Sequence, residues 1–156
     1  MRVDTDQPIT LSVRNGHAHC LLCGQGNPGS WGLSFHPGQG TSVHGTVQPN
    51  AGLQGYEGML HGGVISALLD AAMTHCLFHR EVQAVTADLH VRFVEPVSAK
   101  EVVGVRAWIV SMRAPLYQLK AEIIQGDRVM AWGEAKFLMR RSSRRGRRAP
   151  VEGSAT

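Results

Sequence analysis

The chain has 156 residues, 43% of them hydrophobic, and carries 16 basic against 12 acidic residues. This length predicts one domain with a substantial core. The basic excess belongs to residues 140–156, which hold six arginines and one glutamate, so the rest of the chain has ten basic and eleven acidic residues. A near-neutral body argues against general attraction to nucleic acid or membrane surfaces.

The cysteine content and the first residues indicate a compartment. Three cysteines, together with a start that lacks a charged segment followed by an apolar one, argue against secretion and a disulfide framework. No apolar run approaches the ~20 residues that cross a bilayer without Asp70 or His75 interrupting it. We therefore expect a cytoplasmic protein.

The N-terminal third predicts loops and one hairpin. Residues 1–19 are interpreted as a lead-in, and the glycine-rich stretch at 19–30, which ends in Asn-Pro-Gly, predicts a loop. Residues 31–35 and 42–47 alternate between apolar and polar side chains around a turn at 37–40, which predicts two paired strands.

The centre of the chain predicts a buried helix at residues 62–79. It follows a loop dense in glycine, and between Val64 and Phe78 every position is apolar or small except Ser66, Asp70, Thr74 and His75. Such a composition indicates a helix enclosed on nearly all sides. His75 is interpreted as a neutral histidine at its rim. A single carboxylate in this helix requires an explanation.

Four strands are predicted after the helix. Residues 85–93 alternate strictly, with apolar side chains at Val85, Ala87, Leu89, Val91 and Phe93, which predicts one buried face. Strands at 101–110, 116–124 and 128–139 follow, and their short connections favour antiparallel pairing. The order ββαββββ predicts an α+β fold in which a twisted antiparallel sheet wraps a long helix. Residues 140–156 predict a disordered basic tail.

One motif carries a family resemblance. His61-Gly62-Gly63-x6-Asp70 at the helix start, with Val-Thr-Ala-Asp-Leu at 85–89, resembles the hotdog-fold acyl-coenzyme A thioesterases, in particular the phenylacetate-pathway branch. The resemblance covers residues 20–139, which form the predicted hotdog domain. It implies a homodimer, or a dimer of dimers, that binds acyl-coenzyme A at the seam between subunits. It implies no metal and no cofactor beyond the coenzyme A of the substrate.

The spacing within the motif has its own consequence. Nine residues separate His61 from Asp70, about 13 Å at the helical rise. If both act on one small reacting centre, one of them must come from a second subunit. Ser66, Asp70 and Thr74 are four residues apart and form a polar stripe, which we expect to face a cavity.

The resemblance assigns the central roles. A helix N-terminus suits an oxygen that becomes negative when a thioester carbonyl is attacked, and the family places its donor at the backbone N–H of Gly62, with Gly63 in reach to assist. Asp70 of the other chain would attack the carbonyl or activate a water. A poorly solvated carboxylate is more basic. His61 would donate to the carbonyl or brace the loop.

Further positions have supporting roles. Thr74, one turn beyond the acid, would hold the carboxylate or the water, and Thr86 matches a family position whose hydroxyl orients the water. Ser66 is interpreted mainly as a packing residue beside the substrate. Many relatives carry Asn or Gln where this chain has Gly55, and Gln54 would replace that amide only if the loop shifts by one residue.

Other readings remain open at this stage. Cys20-x2-Cys23 offers half of a tetrahedral zinc site, with nearby histidines at His17, His19, His36 and His44. No second spaced pair is recognisable, and similar leaders occur in thioesterases of this kind without metal, so none is predicted. A non-catalytic acyl-coenzyme A-binding module would not need Asp70. Nucleic-acid binding would depend on the tail.

Overall fold

A computed structural model describes residues 16–141; the predicted lead-in before residue 16 and the tail after residue 141 lie outside them. The elements in chain order are β1 (His36–Pro37), β2 (Val43–Val47), a 3₁₀ turn (Ala51–Leu53), α1 (Gly62–Phe78), β3 (Ala84–Phe93), β4 (Val103–Arg113), β5 (Leu116–Gln125) and β6 (Arg128–Met139).

The six strands form one antiparallel sheet in the order β1-β2-β4-β5-β6-β3. After α1 the chain forms β3 at the far edge of the sheet, where β3 pairs with β6. It then crosses back and forms β4 in the middle of the sheet, beside β2. Helix α1 packs against five of the strands, β2 to β6. A single long helix on an antiparallel sheet, in the order ββαββββ, confirms the predicted hotdog architecture.

The prediction of a first strand at residues 31–35 is wrong. Residues 31–35 belong to no strand, and β1 begins only after them. The N–H groups of Trp31 and Leu33 donate instead to carbonyl oxygens of the 21–22 loop. The alternation that suggested a strand has another cause, because Leu33 and Phe35 are buried in the core.

The core lies between α1 and the sheet. Fully buried side chains come from both layers: Leu68, Leu69, Met73 and Leu77 from α1, and Val105, Leu119, Ile123 and Phe137 from the strands. Between residues 16 and 141, no helix is both long enough and apolar enough to cross a membrane.

His75 lies in this core and not at the rim of the helix, where the sequence placed it. Its side chain is 3% exposed, and its ring packs 4.7 Å from that of Phe35. Among the described residues its Nε2 has no hydrogen-bond partner. Burial lowers the pKa of His75 to about 4, with smaller contributions from the charges of His79 and His17. The ring is therefore neutral at pH 7.

In the variant His75→Leu, the free energy of unfolding is expected to fall less between pH 7 and pH 4 than it does in the wild type. The unfolded chain takes up a proton at the ordinary histidine pKa of 6.5, but folded His75 takes it up only near pH 4. The wild type therefore loses stability as the pH falls across this window, ~3 kcal/mol in total from this group. Leucine removes the proton uptake and the unpaired nitrogen.

Urea denaturation at a series of pH values between 7 and 4 measures this difference. His44→Gln, at an exposed histidine on β2, is the control for replacing a histidine outside the core. A His75→Leu profile as steep as that of the wild type would contradict the assignment.

Candidate active site

A cleft of about 770 Å³ opens at the N-terminal end of α1. Its walls are the loop that contains Gln54, the first turn of α1 with His61, Gly62 and Ile65, and residues 93–97, which continue from β3. Most of these side chains are apolar. The cleft therefore suits a ligand with an apolar part and a polar group near the helix end.

The N–H of Gly62 is the free donor in the first turn of α1. The N–H of Gly63 donates to His61 Nδ1 at 2.8 Å, and those of Val64 and Ile65 donate to the carbonyl oxygen of His61. The N–H of Gly62 has no partner within residues 16–141. Since Gly63 is already engaged in the cap, Gly62 is the position that can receive a developing negative charge.

His61 is the N-cap residue of α1. Because its Nδ1 accepts from the N–H of Gly63, that nitrogen carries no proton, and a neutral ring holds its proton on Nε2. His61 therefore fixes the start of the helix. At the same time its Nε2–H can donate at the edge of the cleft.

Asp70 lies half-buried on α1. Its Oδ1 accepts a hydrogen bond of 2.6 Å from the hydroxyl of Thr86. Burial raises the pKa of Asp70, and the Thr86 hydrogen bond and the charge of His17 offset part of that rise. The carboxylate is thus held at one oxygen and made more basic by poor solvation. The proximity of His17 had no signal in the sequence, since 53 positions separate it from Asp70.

A β-bulge aims Thr86 at the helix. Thr86 pairs with Phe137 on β6 and Asp88 pairs with Lys136, so that Ala87 has no partner. The extra residue puts Thr86 on the same face as the buried Phe137. Without it, strict alternation would turn the hydroxyl away from α1.

Because of this bulge, the prediction of the buried face of β3 is wrong in part. Val85 pairs with Leu138 on the outer side of the sheet and is 54% exposed. Phe93, at the other end, is 51% exposed because β3 is the edge of the sheet. In a single chain, the apolar side chains of this strand are therefore covered only in part.

Ser66 and Thr74 are satisfied by the helix itself. The Ser66 hydroxyl donates to the carbonyl oxygen of Gly62 at 3.0 Å, and the Thr74 hydroxyl donates to the main-chain oxygen of Asp70 at 2.9 Å. Thr74 therefore does not hold the carboxylate. The polar stripe formed by these residues and Asp70 does not line this cleft, so the expectation that it faces a cavity stays a prediction.

The loop before the helix explains the glycine at position 55. A Cβ atom at Gly55 would lie 3.3 Å from Cδ2 of His61, so a larger residue would require the capping histidine to move. Gln54 lines the cleft, and its Oε1 accepts from the N–H of Gly58 at 3.1 Å. Gln54 thus braces the loop through its oxygen, and its amide nitrogen has no hydrogen-bond partner among the described residues.

Gly62 and Asp70 lie far apart within one chain. Gly62 lines the cleft and Asp70 does not, because eight residues of helix correspond to about 12 Å. One copy of the chain therefore presents the unpaired N–H of Gly62 and the carboxylate of Asp70 at different places.

Residues 57–131 match the family model described as the Thioesterase superfamily. The family resemblance inferred from the sequence is thereby confirmed over the region that holds His61, Gly62, Asp70 and Thr86. Among curated proteins, no sequence matches the chain.

Solved structures share the fold. A conserved protein from Pseudomonas aeruginosa is 24% identical with a TM-score of 0.64, over 70% of this chain and 89% of that one. The PaaI protein from the phenylacetic acid degradation operon of E. coli is 18% identical with a TM-score of 0.65, over 70% and 80%. A hypothetical thioesterase from Streptococcus pneumoniae, solved with coenzyme A, is 15% identical with a TM-score of 0.64, over 69% and 87%.

A further thioesterase superfamily protein is 24% identical with a TM-score of 0.69, and the match covers 74% of this chain. The chain spans only 60% of the length of that protein. At these identities the likeness establishes the fold, and the chemistry rests on the residues.

Proposed function

We propose that the protein is an acyl-coenzyme A thioesterase, which hydrolyses a thioester to a free acid and coenzyme A. The observation that carries the proposal is the unpartnered N–H of Gly62 at an apolar cleft, in a region that matches the Thioesterase superfamily. Coenzyme A as the thiol part is supported by the streptococcal neighbour. We place the reaction in the cytoplasm, without nucleic acid or membrane as partner and without a cofactor for hydrolysis.

The proposed site is shared between two copies of the chain. Gly62 of one subunit would hold the thioester carbonyl, and Asp70 of the other would act on it, because a single helix keeps the two about 12 Å apart. The ten-residue edge strand β3 supports this pairing. A long edge with exposed Val85 and Phe93 is the kind of strand that proteins cover.

The chemistry proceeds by attack on the carbonyl carbon. Either the Asp70 carboxylate attacks, forming a mixed anhydride that water then cleaves, or it takes a proton from a water that attacks directly. In both routes the carbonyl oxygen becomes negative and accepts a hydrogen bond from the N–H of Gly62. The C–S bond breaks, and coenzyme A leaves as a thiolate that takes up a proton.

Neighbouring side chains position these groups. Thr86 holds Oδ1 of Asp70, so Oδ2 is the oxygen left to meet the water or the carbonyl. His61 would donate from Nε2 to the carbonyl oxygen, and the amide nitrogen of Gln54 would contact the substrate along the loop.

An assay of thiol release tests the proposal. Acyl-coenzyme A substrates that differ in chain length, together with an aryl acyl-coenzyme A and an acyl carrier protein, should include at least one that the protein hydrolyses. Sedimentation at micromolar concentration should find a dimer or a dimer of dimers. No turnover with any substrate would contradict the proposed reaction, and a monomer would contradict the shared site.

A further inference from the structure

The loop at residues 17–24 gathers three side chains of metal-binding types outside the cleft. The ligand atoms of His17, Cys20 and Cys23 lie within 4.8 Å of one another. His17 Nδ1 is 3.7 Å from Cys23 Sγ. Around a tetrahedral zinc ion, with bonds of about 2.0–2.3 Å, neighbouring ligand atoms lie about 3.5–3.8 Å apart. The His17–Cys23 pair therefore has the spacing that zinc requires, and the other two pairs lie within 4.8 Å.

We propose that His17, Cys20 and Cys23 bind one zinc ion. Two thiols and an imidazole are the ligand types that select zinc over calcium or magnesium. On binding, each thiol releases its proton to solvent, and the two thiolates balance the charge of the ion. A solvent molecule completes the tetrahedron at the fourth position.

The backbone conformation of the 17–24 loop is compatible with a metal site. The N–H of Leu22 donates to Cys20 Sγ at 3.4 Å, a bond that would stabilise a thiolate ligand. The N–H of Gly24 donates to the carbonyl oxygen of Cys20 at 2.9 Å. A Cβ atom at Gly24 would lie 2.3 Å from the backbone nitrogen of Cys20. The turn thus requires glycine directly after the second cysteine.

The rest of the fold holds the ligands in place. The N–H of Cys20 donates to the carbonyl oxygen of His17, and the His17 ring packs edge-on against Phe78 at 4.7 Å. On the other side, the 21–22 carbonyls accept from Trp31 and Leu33. Cys23 is buried, whereas His17 and Cys20 are partly exposed. The ion can therefore enter from solvent.

Of the four histidines that lie near the two cysteines in the sequence, the structure brings only one to them among the described residues. His19 forms a hydrogen bond with the carbonyl oxygen of Gly26, and His36 and His44 pack against each other at the β1–β2 edge, with ring centroids 5.9 Å apart. His17 alone joins the two cysteines among the described residues. The second half of the site was absent from the sequence pattern because it is a single histidine, not a spaced pair.

Metal analysis of the full chain, purified from medium supplemented with Zn²⁺, tests the site. About one zinc per chain is expected, and Co²⁺ in its place should give the visible absorption of a tetrahedral thiolate site. His17→Ala and Cys20→Ser should each weaken zinc binding by more than the roughly 10–100-fold that loss of a supporting residue costs. His19→Ala, in the same loop, is the matched control and should bind as the wild type does.

A second measurement does not depend on how the variants fold. Zn²⁺ should protect Cys20 and Cys23 of the wild-type chain from alkylation, read residue by residue by mass spectrometry, with the buried Cys76 as the internal control. A chain that neither retains nor takes up zinc, and whose two thiols alkylate equally with and without it, would overturn the proposal. A Cys20–Cys23 disulfide in the freshly purified chain would also overturn it, in favour of a redox pair.

Discussion

Asp70→Asn lowers kcat of thioester hydrolysis by roughly 10²–10⁴ and leaves the chain at least as stable as the wild type. The amide cannot attack the carbonyl or take a proton from water, but it can still accept from the Thr86 hydroxyl that now binds Oδ1. Steady-state thiol release measures the first effect, and urea denaturation at pH 7 measures the second.

The sign of the stability effect follows from the pKa. Burial raises the pKa of folded Asp70 above its ordinary value of 3.8, so the folded state loses stability as the pH rises from that value through the higher folded pKa. Above the folded pKa the wild type bears this cost, and asparagine removes it. Asp127→Asn, at an exposed acid in the turn between β5 and β6, is the control for both measurements. Hydrolysis by Asp70→Asn at the wild-type rate would refute the catalytic role.

Gly62→Pro removes one N–H from the site and is expected to lower kcat by roughly 10²–10³. Proline is tolerated at the first position of a helix. The preceding His61 already has φ −64° and ψ 136°, the extended conformation that a residue before proline adopts. The helix should therefore begin as before while its free donor is lost.

Gly62→Ala is the matched variant, since it adds a Cβ atom and keeps the N–H. That atom would lie 3.4 Å from Cζ of Phe93, which is a contact that proline also makes. We expect Gly62→Ala to retain most of the activity. Equal losses in the two variants would attribute the effect to bulk in the cleft and would refute the oxyanion role.

Mixing the two inactive variants extends this prediction to the dimer. When Asp70→Asn and Gly62→Pro chains are expressed together, half of the dimers are mixed, and each mixed dimer has one complete shared site. Activity should recover to roughly a quarter of the wild-type value. No recovery, with mixed dimers demonstrated by differently tagged chains, would place the whole site in one subunit.

The sequence predicted the main elements because their signals are local. The composition of α1 and the alternation in β4, β5 and β6 depend on which side of each element is buried, and the observed bounds agree within a few residues. One predicted strand is the exception. Residues 31–35 alternate in the same way, but they pack on the core without joining the sheet, and a pattern of burial does not distinguish the two.

The candidate site was predictable only in part. The distance from Gly62 to Asp70 follows from helix geometry, so the spacing alone predicted that the two could act in one site only if a second subunit supplies one of them. The cap that engages Gly63 and leaves Gly62 free depends on the rotamer of His61. The hydroxyls of Ser66 and Thr74 turn back to the helix carbonyls, and no spacing rule excludes that choice.

The sequence by itself determined the helix, its glycine-rich start, the one acid within it and the near-neutral charge of the body. The tertiary structure alone decided which groups meet across long stretches of chain. The bulge at Ala87 aims Thr86 at Asp70, and the fold of the 17–24 loop adds His17 to the cysteines. Local patterns report burial along one element, whereas these contacts depend on register and packing between elements that are distant in sequence.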